Sequence, residues 1–253
     1  MSKSLKVESL RKDKILNRIS FELKQGSMTA IMGPSGSGKS TLLYQIAGMA
    51  QPDGGRVWLN DMEITGLSED EKASLRLRRI GFVFQYMNMM ANLSILDNIL
   101  LPAIWANKGK GRKSKAELRI RAKELMRKLS ISGLEERKIT EVSGGQLQRA
   151  CICRSMMNEP EILLADEPTG ALNQSAAAEV MAELVRLNRS GTTILIVTHD
   201  GRVASSCDRI LYLLDGRICG ELTMDKMSDG TEKQREEKVG RWIGEMENKI
   251  LHR

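Results

Sequence analysis

The sequence holds two histidines and four cysteines in 253 residues, and none of them stands at ligand spacing. Cys151 and Cys153 fall close together in a helical stretch, while Cys207 and Cys219 stand alone. Neither zinc-ligand nor redox-motif spacing is present. A metal cluster is therefore not the working centre, and reduced thiols in a cytosolic compartment are expected. No apolar run approaches the roughly 18–20 residues needed to span a bilayer. The opening Met1-Ser2-Lys3-Ser4 is polar with no apolar core behind it, so no signal peptide is expected. Any action on a membrane is expected from outside the lipid.

What is present is ordinary in bulk. Hydrophobic residues at 41% and charged residues at 28% fit a soluble globular protein with either one large domain or a core carrying an inserted subdomain. The formal charge of +7 is compatible with a merely solvated basic surface, or with nucleic acid, an acidic membrane surface or a polyanionic ligand. Short apolar runs alternate with helical patterns, the signature of an α/β core with parallel strands. Buried strands are expected at Met28–Met32, Ile80–Phe84, Ile162–Ala165, Ile194–Val197 and Ile210–Leu214. Near Leu5–Val7 and Arg56–Leu59 short antiparallel strands are expected to flank the core. Between Tyr86 and Pro160 the pattern turns helical, with Leu118, Ala122, Leu125, Met126 and Leu129 at helical spacing. The basic, glycine-containing Lys108–Lys115 reads as an exposed loop, either a solvated surface or a contact for anionic lipid headgroups or a partner. After Leu222 the tail is polar until Val239, Trp242, Ile243, Met246 and Ile250 form the stripe of a short amphipathic helix. Acids as well as bases on its polar face favour docking on the domain over binding a membrane.

Gly33-Pro34-Ser35-Gly36-Ser37-Gly38-Lys39-Ser40, followed by Thr41, fits G-x-x-x-x-G-K-[ST] between a buried strand and a helix. The glycines let backbone N–H groups turn inward around phosphate oxygens, and the helix directs its positive end at the same anion. Lys39 is expected to reach the β- and γ-phosphates, and Ser40 to ligate Mg²⁺. Asp166 and Glu167 end the strand Ile162–Ala165, on the edge where parallel sheets hold ligands. Asp166 would order the magnesium shell while Glu167 polarises the attacking water. Val142-Ser143-Gly144-Gly145-Gln146 is a second anion-binding helix start, with the helix beginning near Gln146.

With these motifs in order, the sequence resembles the ATP-binding cassette (ABC) ATPase family, whose signature is usually written LSGGQ. The resemblance runs to about Leu222. It implies a P-loop NTPase (RecA-like) α/β core with an antiparallel β subdomain and an inserted α-helical subdomain. The expected division is a cassette over 1–222, with 1–85 and 161–222 as catalytic core and 86–160 as helical subdomain, and a C-terminal extension over 223–253. It further implies ATP and Mg²⁺ as ligands, Gln85 as the Q-loop glutamine that contacts Mg²⁺ and the attacking water, and His199 as the switch histidine near the γ-phosphate. Because the signature loop serves the ATP of a facing subunit in this family, a head-to-tail homodimer around two ATPs is implied, with Ser143, Gly144, Gly145 and Gln146 binding nucleotide.

Two departures stand out. Asn173 replaces the usual D-loop aspartate, and the segment Leu10–Lys14 lacks the aromatic that stacks on adenine; Arg11 is the candidate for that contact. A single cassette with neither a tandem copy nor an inserted coiled coil resembles a transporter subunit. The stretches Leu75–Gln85, Leu93–Pro102 and Ala165–Leu172 look like the bacterial group that pairs with MacB-like permeases, including lipoprotein-release and antimicrobial-peptide-resistance systems. The implied partner is an integral-membrane permease, so the chain would sit in the cytoplasm at the inner face of the membrane, with no nucleic acid expected. A nucleic-acid-associated ATPase is the alternative. Tyr86-Met87-Asn88-Met89-Met90 follows Gln85 where the family docks its permease; adaptable docking and core packing are both open readings of its methionines.

Overall fold

The computed structural model describes residues 3–107, 113–228 and 230–251, with Lys3 and residues 249–251 described by backbone alone. The basic stretch Lys108–Lys115 therefore lies outside the described residues as far as residue 112, as does the side chain of Ile250. The chain divides into two compact units, Met1–Leu67 with Asn188–Arg253, and Ser68–Leu187.

The first unit opens with β1 (Lys3–Lys12), β2 (Leu16–Lys24), β3 (Met28–Met32), α1 (Lys39–Ile46), β4 (Gly54–Leu59) and β5 (Met62–Glu63). The second is built from α2 (Glu69–Arg79), β6 (Ile80–Val83), α3 (Ile95–Ala106), α4 (Lys115–Lys128), α5 (Gly144–Met156), β7 (Ile162–Asp166) and α6 (Gln174–Arg189). The chain returns to the first unit with β8 (Thr193–Thr198), α7 (Gly201–Ser205), β9 (Arg209–Leu214), β10 (Arg217–Thr223) and α8 (Glu232–Leu251).

In the first unit β3 runs parallel to both β8 and β9, with Ala30 opposite Ile196 on one side and Ile210 on the other. Every residue of β3 and β8 is buried, as a parallel strand covered on both faces requires. β10 adds antiparallel to the edge of β9, and its side chains alternate between half-buried and exposed. A separate antiparallel sheet has the order β2-β1-β4-β5. Its first hairpin changes register where Ser9 and Arg18 take positive φ of 47° and 55°, an irregularity that re-aims the side chains.

In the second unit β6 and β7 pair in parallel, Val83 opposite Ala165, and β7 is buried throughout. Three described α-helices of this unit start with capping boxes. Ser68 and Glu71 form a capping box for α2, Ser114 and Glu117 one for α4, and Ser143 and Gln146 one for α5. Each satisfies two N–H groups that the first helical turn leaves open. Leu118, Ala122, Leu125 and Met126 form the buried face of α4, as their spacing foretold. Helix α5 starts at Gly144, two residues before the expected point, because Ser143 and not Gln146 is the cap.

Candidate functional site

The pairing register decides where the chemical residues fall. Met32 pairs with Thr198 at the last rung of β3 and β8, so the chain emerges at Gly33 and at His199 side by side on the carboxyl edge of the first unit. In the second unit Val83 pairs with Ala165, and the next positions carry Gln85 on one strand and Asp166 and Glu167 on the other.

The loop after β3 is shaped by its glycines. A Cβ on Gly33 would lie 2.0 Å from the carbonyl oxygen of Leu213, and Gly36 and Gly38 take φ of 81° and 98°. No other residue adopts that path without strain. Helix α1 begins at Lys39 behind a left-handed Gly38 with no side-chain cap and no acid in its first turn. Its positive end therefore faces the loop with no acidic side chain of its own first turn to offset it. The Lys39 ammonium is buried and donates to the carbonyls of Gly33 and Pro34 at 2.8 Å each. It is thus held over the loop mouth on a curled side chain. Ser37 Oγ is buried without a hydrogen-bond partner, while Pro34, Ser35 and Gly36 are exposed and Ser40 and Thr41 half-buried. A loop with an orphaned hydroxyl, an uncapped helix start and a folded-back cation fits a phosphate chain.

His199 is exposed between two anchored neighbours. Thr198 is fully buried, and its hydroxyl accepts the N–H of Asp200 at 3.0 Å. Asp200 caps α7 by accepting from Arg202 N at 2.8 Å, and also binds the Arg202 guanidinium at 2.9 Å. Burial pushes its carboxyl up, but those Arg202 hydrogen bonds outweigh it and hold the group below the usual carboxylate range. Asp200 was not singled out in the sequence; an acid directly before a short helix was the signal.

The second unit gathers its acids around Gly170. Asp166 is buried at 1% exposure and ends β7. Glu167 follows with φ 45°, a left-handed conformation that a glutamate holds only when its surroundings enforce it. A Cβ on Gly170 would stand 3.5 Å from Glu167 Cβ and 3.8 Å from Gln85 Nε2. Gln85 and Glu167 thus flank one glycine whose missing side chain leaves them room. The hydroxyl of Ser40, the Gln85 amide and the Asp166 carboxylate are hard oxygen donors of the kind Mg²⁺ takes. Among the described residues no group of three His, Cys, Asp or Glu could hold a metal alone.

The signature segment is built on close approach. Cβ atoms on Gly144 and Gly145 would meet Leu172 Cδ2 at 3.2 Å and Ala176 Cβ at 3.0 Å, so a side chain at Gly144 presses on Leu172 and one at Gly145 presses on α6. Ser143 Oγ accepts from Gln146 N at 3.3 Å and Gln146 Oε1 accepts from Ser143 N at 2.8 Å. The serine keeps its own O–H donor for a ligand. Beneath it Arg149 bonds Glu179 of α6. Asn173 caps α6, its Oδ1 accepting from Ala176 N at 2.9 Å; an amide does this without a charge.

After Gln85 the backbone is pinned and the side chains are not. Arg154 donates to the carbonyls of Met87 and Asn88 at 2.9 and 2.7 Å, and Asn98 exchanges bonds with both backbone groups of Met90. Tyr86 is 76% and Met90 50% exposed, so these two are not core packing; Met87 and Met89 are half-buried. Arg11 sits with its guanidinium over Gly54, 2.9 Å from where a Cβ would be. It lines a cleft of about 490 Å³ together with Lys12–Asn17, Asp53 and Asp215. Ile15 of that cleft packs on Gly38, its Cγ2 3.2 Å from the missing Cβ. This aliphatic neighbour of the phosphate loop carried no sequence signal.

The buried thiols take no part. Burial pushes Cys151 up to about 11 and raises Cys153 and Cys207 as well.

A parallel α/β core whose glycine loop wraps an uncapped helix start, with an acid pair ending a buried strand, defines the P-loop NTPase fold. Residues 16–170 match the ABC transporter family, and the chain belongs to that family as an ATPase cassette of the MacB and LolD type. It is 42% identical over 208 residues to the lipoprotein-releasing system ATP-binding protein LolD of Anaeromyxobacter dehalogenans, covering 82% of this chain and 85% of that protein. It is 41% identical over 212 residues to the macrolide export ATP-binding/permease protein MacB of Sodalis glossinidius, covering 84% of this chain. The match spans only 32% of that MacB. Among solved structures, a dimeric ATP-binding cassette in a post-hydrolysis state bound to ADP and Pi superposes with a TM-score of 0.79 at 36% identity, covering 88% of this chain and all of that one. The cbiO1 cassette of Clostridium perfringens superposes at 0.80 with 28% identity, over all of this chain and 98% of that one.

Proposed function

We propose that the chain is the ATP-hydrolysing subunit of a bacterial transporter, that two copies close head to tail around two ATPs, and that closure drives a separate membrane permease of MacB-like type. The carrying observation is Glu167, left-handed and beside Gln85 across Gly170, directly after a fully buried strand: a carboxylate and an amide brought together at the carboxyl edge of a parallel pair stand where such sheets hold ligands. Lys39 exchanges the carbonyls of Gly33 and Pro34 for β- and γ-phosphate oxygens, and the loop N–H groups complete the cradle. Ser40, Gln85 and Asp166 are the residues that would hold Mg²⁺, which would supply neutralisation of the phosphate charge. Glu167 accepts the proton of the attacking water, which Gln85 orients, and His199 contacts the γ-phosphate. Ser143, Gly144, Gly145 and Gln146 of the facing copy donate to that same phosphate; a solved cassette described as dimeric and bound to ADP and Pi supports the pairing of two copies.

The nucleotide base occupies the cleft between Arg11 and Ile15, next to the phosphate loop. The exposed Tyr86 and Met90, on a backbone fixed by Arg154 and Asn98, suit an adaptable apolar docking surface for the permease. No described helix is long and apolar enough to cross a membrane, so in this reading the chain works as a peripheral protein at the inner face. Relatives named for lipoprotein release and macrolide export favour a peptide, lipoprotein or antimicrobial cargo. Nothing in the site or the comparisons favours the nucleic-acid alternative.

Glu167→Gln is expected to leave ATP binding intact and lower turnover by roughly 10²–10⁴ if the residue is a general base. Undiminished steady-state turnover refutes that role. Ser143→Arg is expected to abolish ATP-dependent dimers of Glu167→Gln protein in size-exclusion runs; dimers that persist refute the sandwich.

A further inference from the structure

Helix α8 lies outside the residues that match the family, yet it is tied to the segment that carries His199. Helix α7 starts at Gly201, two residues after the histidine, and spans five residues. A helix that short does not hold itself in water, so its direction is set by what grips it.

Both of its ends are gripped by α8. At the start, a Cβ on Gly201 would lie 3.4 Å from Ile243 Cδ1 and 3.9 Å from Val239 Cγ1, and Val239 is fully buried. At the far end the buried Arg235 donates through Nε to Ser205 O and through Nη2 to Cys207 O, both at 2.7 Å. Ser205 O is one of the carbonyls that a helix C-terminus leaves without an intrahelical partner, and Cys207 O follows just past the cap Ser206. The third arm of the same fork reaches Asp225 O, which ties the tail before α8 to the same point. Farther along, Trp242 stands edge-on to Tyr212 at 6.0 Å, and Met246 Sδ lies 2.6 Å from where Gly220 would carry a Cβ. Tyr212 pairs with Met32, the residue before the phosphate loop.

The backbone at His199 is held from both sides. Thr198 is locked in β8, Asp200 is locked as the cap of α7, and α7 itself packs on β3 and β8 and, most extensively, on α8. We infer that α8 is the positioning element of His199, acting through Val239 and Ile243 on Gly201 and through Arg235 on Ser205 and Cys207. It sets the ring's aim at the γ-phosphate and therefore the hydrolysis step, with nucleotide affinity left to the loop and Lys39. The inference rests on His199 contacting the γ-phosphate, as proposed above.

The test uses the full chain with Ile243→Ala, the milder Ile243→Val and Arg235→Lys, beside His199→Ala and the outward-facing Glu237→Ala. In the Ile243 and Arg235 variants kcat for ATP is expected to fall about 3- to 10-fold with KM within about twofold, the pattern of an interaction made only in the transition state. Glu237→Ala is expected to match the parent. The sequence has two histidines, His199 and His252, so ¹³C-labelled histidine gives two resolvable ring signals. In a Glu167→Gln background with ATP, the His199 ring signal is expected to shift or broaden in Ile243→Val, which keeps most of the side chain. An unmoved His199 signal together with parental kcat in Ile243→Val and Ile243→Ala overturns the inference. Loss of turnover in His199→Ala alone would then leave the function standing. Parental turnover in His199→Ala refutes the histidine's role and this inference with it.

Discussion

Replacing Arg235 by methionine keeps an apolar stem of similar reach and removes the fork. Three carbonyls lose their donor: Ser205 O, Cys207 O and Asp225 O. Ser205 and Cys207 are buried while Asp225 is exposed, so water replaces the lost bond only at Asp225. An abandoned buried acceptor costs about 1–3 kcal/mol, and bonds to a charged donor are the stronger kind. Two such acceptors give roughly 2–6 kcal/mol, from which the relief of no longer burying a guanidinium must be subtracted. The expected loss is about 2–4 kcal/mol, a large share of the ~5–15 kcal/mol that typical domains possess. Because α8 packs on α7 and the β9–β10 edge, the damage should be local before it is global. Urea unfolding followed by Trp242 fluorescence, with Trp58 and Trp105 changed to Phe, reads the α8 seam; amide exchange at residues 201–207 reads α7. Arg235→Lys should recover about half the loss, because a single ammonium cannot span the fork. A destabilisation below about 0.5 kcal/mol, the level of an ordinary surface change, refutes the reasoning.

Other outcomes follow from the same geometry. Gly33→Ala places a methyl 2.0 Å from Leu213 O, so equilibrium binding of a fluorescent ATP analogue should be lost even where circular dichroism is unchanged; retained binding refutes the close approach. Ser114→Ala removes the acceptor of Glu117 N at 3.1 Å and should cost about 1 kcal/mol in urea unfolding. Asp200 has its folded pKa below the unfolded one, so its contribution is present above the unfolded value of about 3.9 and fades as pH falls through the folded pKa. The acid limb of a thermal-stability profile should therefore be shallower in Asp200→Asn, and an identical limb refutes the pairing with Arg202. Of the four cysteines only Cys219 is exposed, so one thiol should react rapidly with Ellman's reagent before denaturation and four after it.

The segments of the candidate site were legible in the sequence because each depends on local spacing. Gly33 to Thr41, the acids at the end of Ile162–Ala165 and the Ser143–Gln146 helix start are each contiguous, and backbone sterics tie such runs to one conformation. The fully buried strands β3, β7 and β8 were equally legible, since a nearly uninterrupted apolar run leaves no second face to misread. β2 and β10 were not: Arg18 at positive φ breaks the alternation of the first, and the second is a half-exposed edge with Gly220 inside it. The C-terminal stripe foretold a short docking helix, but α8 spans 20 residues, because Arg235 extends the contact through backbone carbonyls that no apolar periodicity records. Tertiary structure alone decided that Met32 pairs with Thr198, bringing His199 beside the phosphate loop, and that Gly170 makes room for Gln85 and Glu167. It also decided that Ile15 abuts Gly38 and that α8 holds both ends of α7. These are contacts between residues distant in the chain, fixed by strand register and packing, and a linear pattern carries no information about register until the strands have met.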